Sequence, residues 1–315
     1  METSSQKQSM IAITTVNILA VFFAGVFSLS VFFYTPKPVD TPAVILPVLP
    51  DPFVSLSLNA EAVYVYDTVT GETLFSKNEE AQLPLASVTK VMTALVASGI
   101  SENTRVSVRS RDLADGPGGL TEGQDWSLKN LLSYTLVISS NSGASAIAGA
   151  AGAVFQNEND WKGEREEIFV EEMNKTAKRL GMNQTFYLNP SGLDENGELS
   201  GAYGSAKDMA TLFDYILKAK PLLLSATTNN SLRFDSLDGV SHLAVNTNTI
   251  AQTVPGLIAS KTGYTDLANG NLVIAFDVGP MHPVIIAVLG STQEGRFTDI
   301  EKLVNATIEK IGQGE

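Results

Sequence analysis

The sequence predicts an α/β domain in which an antiparallel sheet is assembled from the two ends of the domain and helices fill the stretch between them. Three observations carry that reading. Apolar, β-branched runs gather in two groups, Ala62 to Ser76 and Leu257 to Leu289, and within each group the connections are too short for a crossover, which requires antiparallel pairing. Between the groups, apolar residues recur at helical spacing. Finally, 315 residues with 44% apolar and 17% charged side chains support a sizeable core and exclude a disordered or fibrous chain.

The elements follow in order. Met10 to Tyr34 is a run of 25 residues without a charge; at about 1.5 Å per residue it spans a hydrocarbon core of about 30 Å. A cleaved signal peptide would have a shorter apolar region ending in small residues, whereas this run ends in Val31-Phe32-Phe33-Tyr34. Residues 10–34 are therefore expected to be an uncleaved single-pass anchor, with residues 1–9 on the cytoplasmic side. Six of the 13 prolines fall between Pro36 and Pro52, so 35–53 reads as a stiff, extended spacer. The remainder, 54–315, holds 19 basic and 31 acidic residues, a charge of −12. Such a surface repels a phosphate backbone, so no nucleic-acid partner is expected.

In this domain Ala62 to Tyr66 and Glu72 to Ser76 form a hairpin about the turn Asp67 to Gly71. Helices are expected at Ser87 to Ser98, Leu128 to Ala148, Glu164 to Leu180, Ala206 to Lys218 and Phe297 to Ile311. Strands are expected at Leu257 to Thr262, Asn271 to Val278 and Pro283 to Leu289, punctuated by Asn269-Gly270 and Gly279-Pro280. The last helix carries apolar residues at Ile300, Leu303, Val304, Ile308 and Ile311 with balanced charges, and should pack on the sheet rather than on a membrane. The absence of cysteine excludes disulfides and thiol chemistry, and two isolated histidines, His242 and His282, argue against a zinc hydrolase; no cofactor is expected.

The chemistry begins at Ser87-Val-Thr-Lys90. Proline followed by a helical pattern places Ser87 near a helix start, and Lys90 three residues on lies one turn along the same face. A serine needs a neighbouring base, and a lysine kept neutral by burial, a second cation or the positive helix end can supply one. An ordinary surface helix also carries such a pattern by chance. Two further segments add weight: Ser139-Ser-Asn141 after an apolar helix, and Lys261-Thr262-Gly263 in a strand, where the glycine admits a ligand backbone and the lysine and threonine suit a carboxylate.

Ser-x-x-Lys, Ser-x-Asn and Lys-Thr-Gly in this order resemble the serine penicillin-recognising enzymes. The D-alanyl-D-alanine carboxypeptidases of low molecular mass, serine peptidase family S11, are the most similar. The resemblance runs from about Ala60 to Gly290 and includes Phe169 to Met182, Asn189-Pro-Ser-Gly-Leu193, Ser205 to Ala210 and Asn246-Thr-Asn248. It implies the transpeptidase/β-lactamase-like fold, an antiparallel sheet flanked by helices with a helical subdomain. It also implies a reaction on peptidoglycan stem peptides through an acyl-enzyme on Ser87, with β-lactams as inhibitors. By resemblance Lys90 is the general base, Ser139 relays a proton to the leaving group, and Asn141 binds the peptide carbonyl. Lys261 and Thr262 hold the terminal carboxylate, with Lys261 a fixed cation that helps keep Lys90 neutral. The Ser87 N–H and one near Tyr264 would form the oxyanion hole. Ser142-Gly143 stands where many relatives have an acidic residue. A D,D-endopeptidase uses the same residues and stays open. A β-lactamase lacks its Glu-x-x-Leu-Asn segment here, and a non-catalytic wall-binding sensor would have lost Ser87, Lys90 or Lys261. The enzyme is expected to be monomeric, on the outer face of a bacterial cytoplasmic membrane.

Overall fold

A computed structural model of the protein describes residues 49–116, 118–159 and 163–313. The expected anchor at 10–34 and most of the spacer lie outside these residues; among the described residues no helix is long and apolar enough to cross a membrane. The strands are β1 (Ala62–Asp67), β2 (Thr73–Lys77), β3 (Leu83–Pro84), β4 (Arg105–Ser107), β5 (Asp125–Ser127), β6 (Phe186–Tyr187), β7 (Ala202–Gly204), β8 (Ser231–Asp235), β9 (Ser241–Val245), β10 (Leu257–Thr265), β11 (Asn269–Asp277) and β12 (Pro283–Ser291). The helices are α1 (Lys90–Ala97), α2 (Leu128–Ile138), α3 (Asn141–Asn159), α4 (Arg165–Arg179), α5 (Ala206–Ala219) and α6 (Gly295–Gly312).

The main sheet has the order β10-β11-β12-β1-β2, every pair antiparallel. The two ends of the domain thus meet as expected, through pairs such as Val63 with Val288 and Tyr64 with Ala287. Successive side chains of a strand point to opposite faces, and here both faces are covered. Ala62, Tyr64, Val273, Ala275, Ile285 and Ala287 enter a core shared with the helices of the middle segment. Val63, Val65, Leu272, Ile274, Phe276 and Ile286 enter a second core under α6. Double coverage explains why these strands read as continuous apolar runs rather than as alternating ones. Each fully buried Val, Leu, Ile or Phe among them contributes roughly 1.5–3 kcal/mol, well above the roughly 0–1 kcal/mol of an exposed pair such as Arg105–Asp125.

The C-terminal helix packs on the sheet as its periodicity predicts: Phe297, Ile300, Leu303 and Val304 are buried there, although Ile308 is exposed. The domain's entry is tied to this layer. Phe53 is buried in the same core and stacks on Phe75 at 5.2 Å. The buried Asp299 carboxylate accepts hydrogen bonds from the Asn59 N–H (3.1 Å), the Ala60 N–H (2.9 Å) and the Ser291 hydroxyl (2.8 Å).

The middle segment differs from expectation in two respects. It contains small sheets besides its helices: β3-β7-β6, the pair β4-β5 and the ribbon β8-β9. And the single helix expected over Leu128 to Ala148 is two. Helix α2 starts where the Ser127 hydroxyl accepts from the Asn130 N–H and stops at Ser139, which takes the left-handed conformation at φ 63°; α3 restarts at Asn141. The apolar pattern pauses over Ser139-Ser-Asn-Ser-Gly143 and resumes in phase at Ala144, so periodicity over the whole stretch reads as one helix. Likewise the helix expected from Ser87 begins as a 3-10 turn, Ala86–Thr89, and becomes α-helical at Lys90.

Candidate active site

Three loops and one edge strand bring the sequence motifs together. Leu83–Pro84 pairs with Tyr203 and Gly204 of β7, and the Leu85 N–H donates to the Ala202 carbonyl at 3.0 Å. Asn271, fully buried on β11, donates to the Pro84 carbonyl at 3.0 Å while its own oxygen accepts from the Gly290 N–H. The chain then turns sharply at Ala86, whose φ of 47° is unusual for a residue with a Cβ. Backbone in this region costs about 1 kcal/mol or more and persists only where surrounding contacts hold it. Ser87 follows, half-buried, on the 3-10 turn.

Lys90 is 1% exposed. Its Nζ lies 2.8 Å from Ser87 Oγ, 2.7 Å from Asn141 Oδ1 and 2.8 Å from the Ser191 carbonyl oxygen. The last two atoms are obligate acceptors here and consume two N–H donors. A neutral amine has two N–H groups and one lone pair, so in that state the lone pair is left facing the Ser87 hydroxyl. Burial brings the Lys90 pKa down to about 7, opposed by the carboxylate of Asp115. Of the causes expected from the sequence, burial accounts for the shift and Lys261 does not.

The Ser191 carbonyl is itself held in place. The Asn189 side-chain oxygen accepts from the N–H groups of Ser191 (3.1 Å) and Gly192 (2.7 Å), and the Thr93 hydroxyl donates to the Pro190 carbonyl at 2.6 Å. Gly192 has φ 73°, and a Cβ there would collide with the Ala86 carbonyl and the Thr89 hydroxyl. Sequence reading singled out Asn189 to Leu193 by resemblance without a role; the structure shows it as the rear wall of the lysine pocket.

Ser139 and Asn141 flank the helix break. The left-handed residue at 139 places the Ser139 hydroxyl 2.9 Å from Lys261 Nζ, while Asn141 reaches Lys90 from the other side. Ser142 donates to the Gly116 carbonyl, and the Ser140 hydroxyl donates to the Gly118 carbonyl at 3.3 Å. The residue after Asn141 therefore anchors the loop that backs this turn.

Lys261, on edge strand β10, is 1% exposed and donates to Ser139 Oγ and, at 2.8 Å, to the Thr262 carbonyl. Its pKa is held well below the usual lysine range by burial first, then by Lys90 and Arg296. Thr262 is buried, with its hydroxyl 2.6 Å from that of Thr247. Gly263 permits a close approach of the chain's own Leu85–Ser87 turn: a Cβ there would stand 2.8 Å from the Leu85 carbonyl and 3.2 Å from the Ser87 nitrogen. Sequence reasoning missed Arg296 at the start of α6. Its guanidinium is buried, donates to the Gly263 carbonyl at 2.7 Å, and leaves Nε without a partner. A lone arginine after a glycine offers no pattern by which to find it.

His242 lies against Trp126 (4.8 Å between ring centres), and His282 pairs with Asp67 at 2.8 Å. Among the described residues no group of three or more His, Cys, Asp or Glu is placed to hold a metal ion.

Comparison with known proteins places the chain in a family. The sequence matches the profile of the Peptidase_S11 family, D-alanyl-D-alanine carboxypeptidase, over residues 51–293. It is 30% identical to the D-alanyl-D-alanine carboxypeptidase DacF of Bacillus subtilis over 79% of this chain, although the match spans only 62% of that relative's length. A D-alanyl-D-alanine carboxypeptidase structure from Mycobacterium tuberculosis superposes with a TM-score of 0.70 at 26% identity, covering 84% of this chain and 94% of the other. Penicillin-binding protein D2 of Listeria monocytogenes, solved with ampicillin bound, gives 0.64 at 28% identity, covering 80% and 98%. The fold is the transpeptidase-like one, and the chain belongs to the Peptidase_S11 family of D-alanyl-D-alanine carboxypeptidases.

Proposed function

We propose that this chain is a serine D-alanyl-D-alanine carboxypeptidase acting on peptidoglycan stem peptides and acylated by β-lactams. The observation that carries the reading is the arrangement about Lys90, a buried amine with two acceptors filled and Ser87 at 2.8 Å. Ser87 Oγ attacks the carbonyl of the penultimate D-alanine as Lys90 takes its proton. The resulting oxyanion is held by the Ser87 and Tyr264 N–H groups, and Asn141 orients the substrate's peptide carbonyl. Ser139, backed by Lys261, passes its proton to the departing amine of D-alanine and receives in return the proton that Lys90 took from Ser87, which leaves Lys90 neutral. Water then attacks the acyl-enzyme as Lys90 accepts its proton and hands it to the departing Ser87 Oγ, regenerating the free serine. Lys261 and Thr262 receive the terminal carboxylate, and a carboxylate beside Lys261 favours its charged form. Release of D-alanine from a peptide ending in D-alanyl-D-alanine, abolished in Ser87→Ala, is the test. A wild-type enzyme that cleaves cross-linked D,D-peptides but not the linear peptide would turn the reading to an endopeptidase.

We further propose that residues 10–34 anchor the protein in the cytoplasmic membrane, with 35–53 as spacer and the catalytic domain outside. The uncharged run of 25 residues and the exclusively extracytoplasmic substrate support this. Protease added to intact spheroplasts should release the domain. Protection until the membrane is permeabilised contradicts the placement.

A further inference from the structure

We propose that Thr247 is a positioning residue for carboxylate recognition: its hydroxyl donates to Thr262 and so turns the Thr262 proton toward the substrate. The inference deepens the carboxypeptidase reading and rests on it for the identity of the carboxylate. The two hydroxyl oxygens are 2.6 Å apart, and either can donate. Among the described residues, no other side chain is shown within hydrogen-bonding distance of the Thr262 hydroxyl.

With an empty cleft the proton between the two oxygens can belong to either. A carboxylate has no proton to give, so a hydroxyl bound to it must donate. Once Thr262 donates outward, it can only accept from Thr247, and the pair becomes a one-way chain from Thr247 through Thr262 to the carboxylate. Hydrogen bonds in such a chain polarise one another, which strengthens the outward bond.

The backbone around Thr247 is built to hold this geometry. Its N–H donates to the Val137 carbonyl at 3.2 Å, two residues before Ser139, so Thr247 ties the Ser-x-Asn turn to the Lys-Thr-Gly strand. Asn246 beside it donates to the carbonyls of Thr227 (2.8 Å) and Asn229 (2.9 Å), and accepts from the Asn248 N–H at 2.8 Å. Thr227 also binds Ser260, through its hydroxyl to the Ser260 N–H and through its carbonyl to the Ser260 hydroxyl. One short segment thereby fixes both the residue before Thr247 and the residue before Lys261. The resemblance pointed to Asn246-Thr-Asn248 as a segment; the structure gives its central residue a task.

Thr247→Val keeps the shape and the backbone bond but removes the donor, and Thr247→Ser restores it. On a peptide ending in free D-alanyl-D-alanine, Thr247→Val should raise KM about three- to tenfold, the scale of one net hydrogen bond, with kcat within about twofold. Thr247→Ser should stay within about twofold of wild type in both. On the same peptide ending in D-alaninamide, Thr247→Val and wild type should be indistinguishable. Equal losses on acid and amide, or no loss on the acid, overturn the proposal. Acylation by benzylpenicillin against its methyl ester gives a second readout independent of peptidase activity. A wild-type preference for the acid that shrinks in Thr247→Val supports the proposal even if no D-alanine is released, an outcome that would fault the carboxypeptidase reading instead. A wild type with no preference for the acid overturns it.

Discussion

Changing pH across neutrality should switch acylation through one group, the Lys90 amine. An ordinary lysine is neutral in only about one molecule in a few thousand at pH 7. With its pKa brought to about 7 by burial, Lys90 is neutral in about half of molecules at pH 7, about 1% at pH 5 and about 99% at pH 9. The second-order rate of acylation by a chromogenic β-lactam, followed between pH 5 and 9, should therefore rise about tenfold per pH unit below 6.5 and level off above about 7.5. Lys90→Ala should lower the plateau by roughly 10²–10⁴-fold and remove the dependence, because the proton acceptor is gone. A wild-type rate still climbing tenfold per unit through pH 9 would refute the reasoning: it would mean a base with an ordinary lysine pKa. So would a pH profile that survives in Lys90→Ala.

Three further predictions test other parts of the structure. The lowered pKa of Lys90 means that the unfolded chain holds more protons than the folded one between about pH 7 and 10; unfolding free energy should rise with pH across that window, and Lys90→Met should flatten the slope. Urea titrations at pH 7 and pH 9.5 measure it, and an unchanged slope in the variant contradicts the assignment. Gly192→Ala forces a Cβ into the Ala86 carbonyl at a positive φ, so it should abolish penicillin labelling or cost about 2 kcal/mol or more of stability; wild-type behaviour in both assays rules the steric account out. Asp299→Ala strips acceptors from the Asn59 and Ala60 N–H groups and the Ser291 hydroxyl and should cost about 3 kcal/mol in urea unfolding while leaving the acylation rate of the folded enzyme unchanged. A loss below about 0.5 kcal/mol would show that these donors find other partners.

What the sequence made legible follows from the kind of signal each element leaves. Strands β1, β11 and β12 are buried on both faces and so appear as unbroken apolar runs between turn residues. Ser87 and Lys90 share a helical face, so their contact follows from spacing alone. The break at Ser139 is hard to read because the apolar period of α2 resumes in phase in α3 after the polar run Ser139 to Gly143, while the turn's partners Gly118 and Lys261 lie far away in the chain. Strands β3 to β7, of two or three residues each, are too short to establish a period, whereas the five-residue β8 alternates polar and apolar residues and its ribbon with β9 was legible but not read. The close packing of Gly263 against Leu85 and Ser87 is visible only in the folded backbone. Arg296 and Asn271 act by reaching other strands' carbonyls, a relation that no local pattern encodes.

The central claim, that Ser87 activated by Lys90 is the acylated nucleophile, is tested most directly by intact mass and peptide mapping after brief exposure to benzylpenicillin. The account predicts one added penicilloyl group, located on the peptide containing Ser87, absent from Ser87→Ala and formed at least about a hundredfold more slowly in Lys90→Ala. An adduct on any other residue, or one that survives Ser87→Ala, would contradict it.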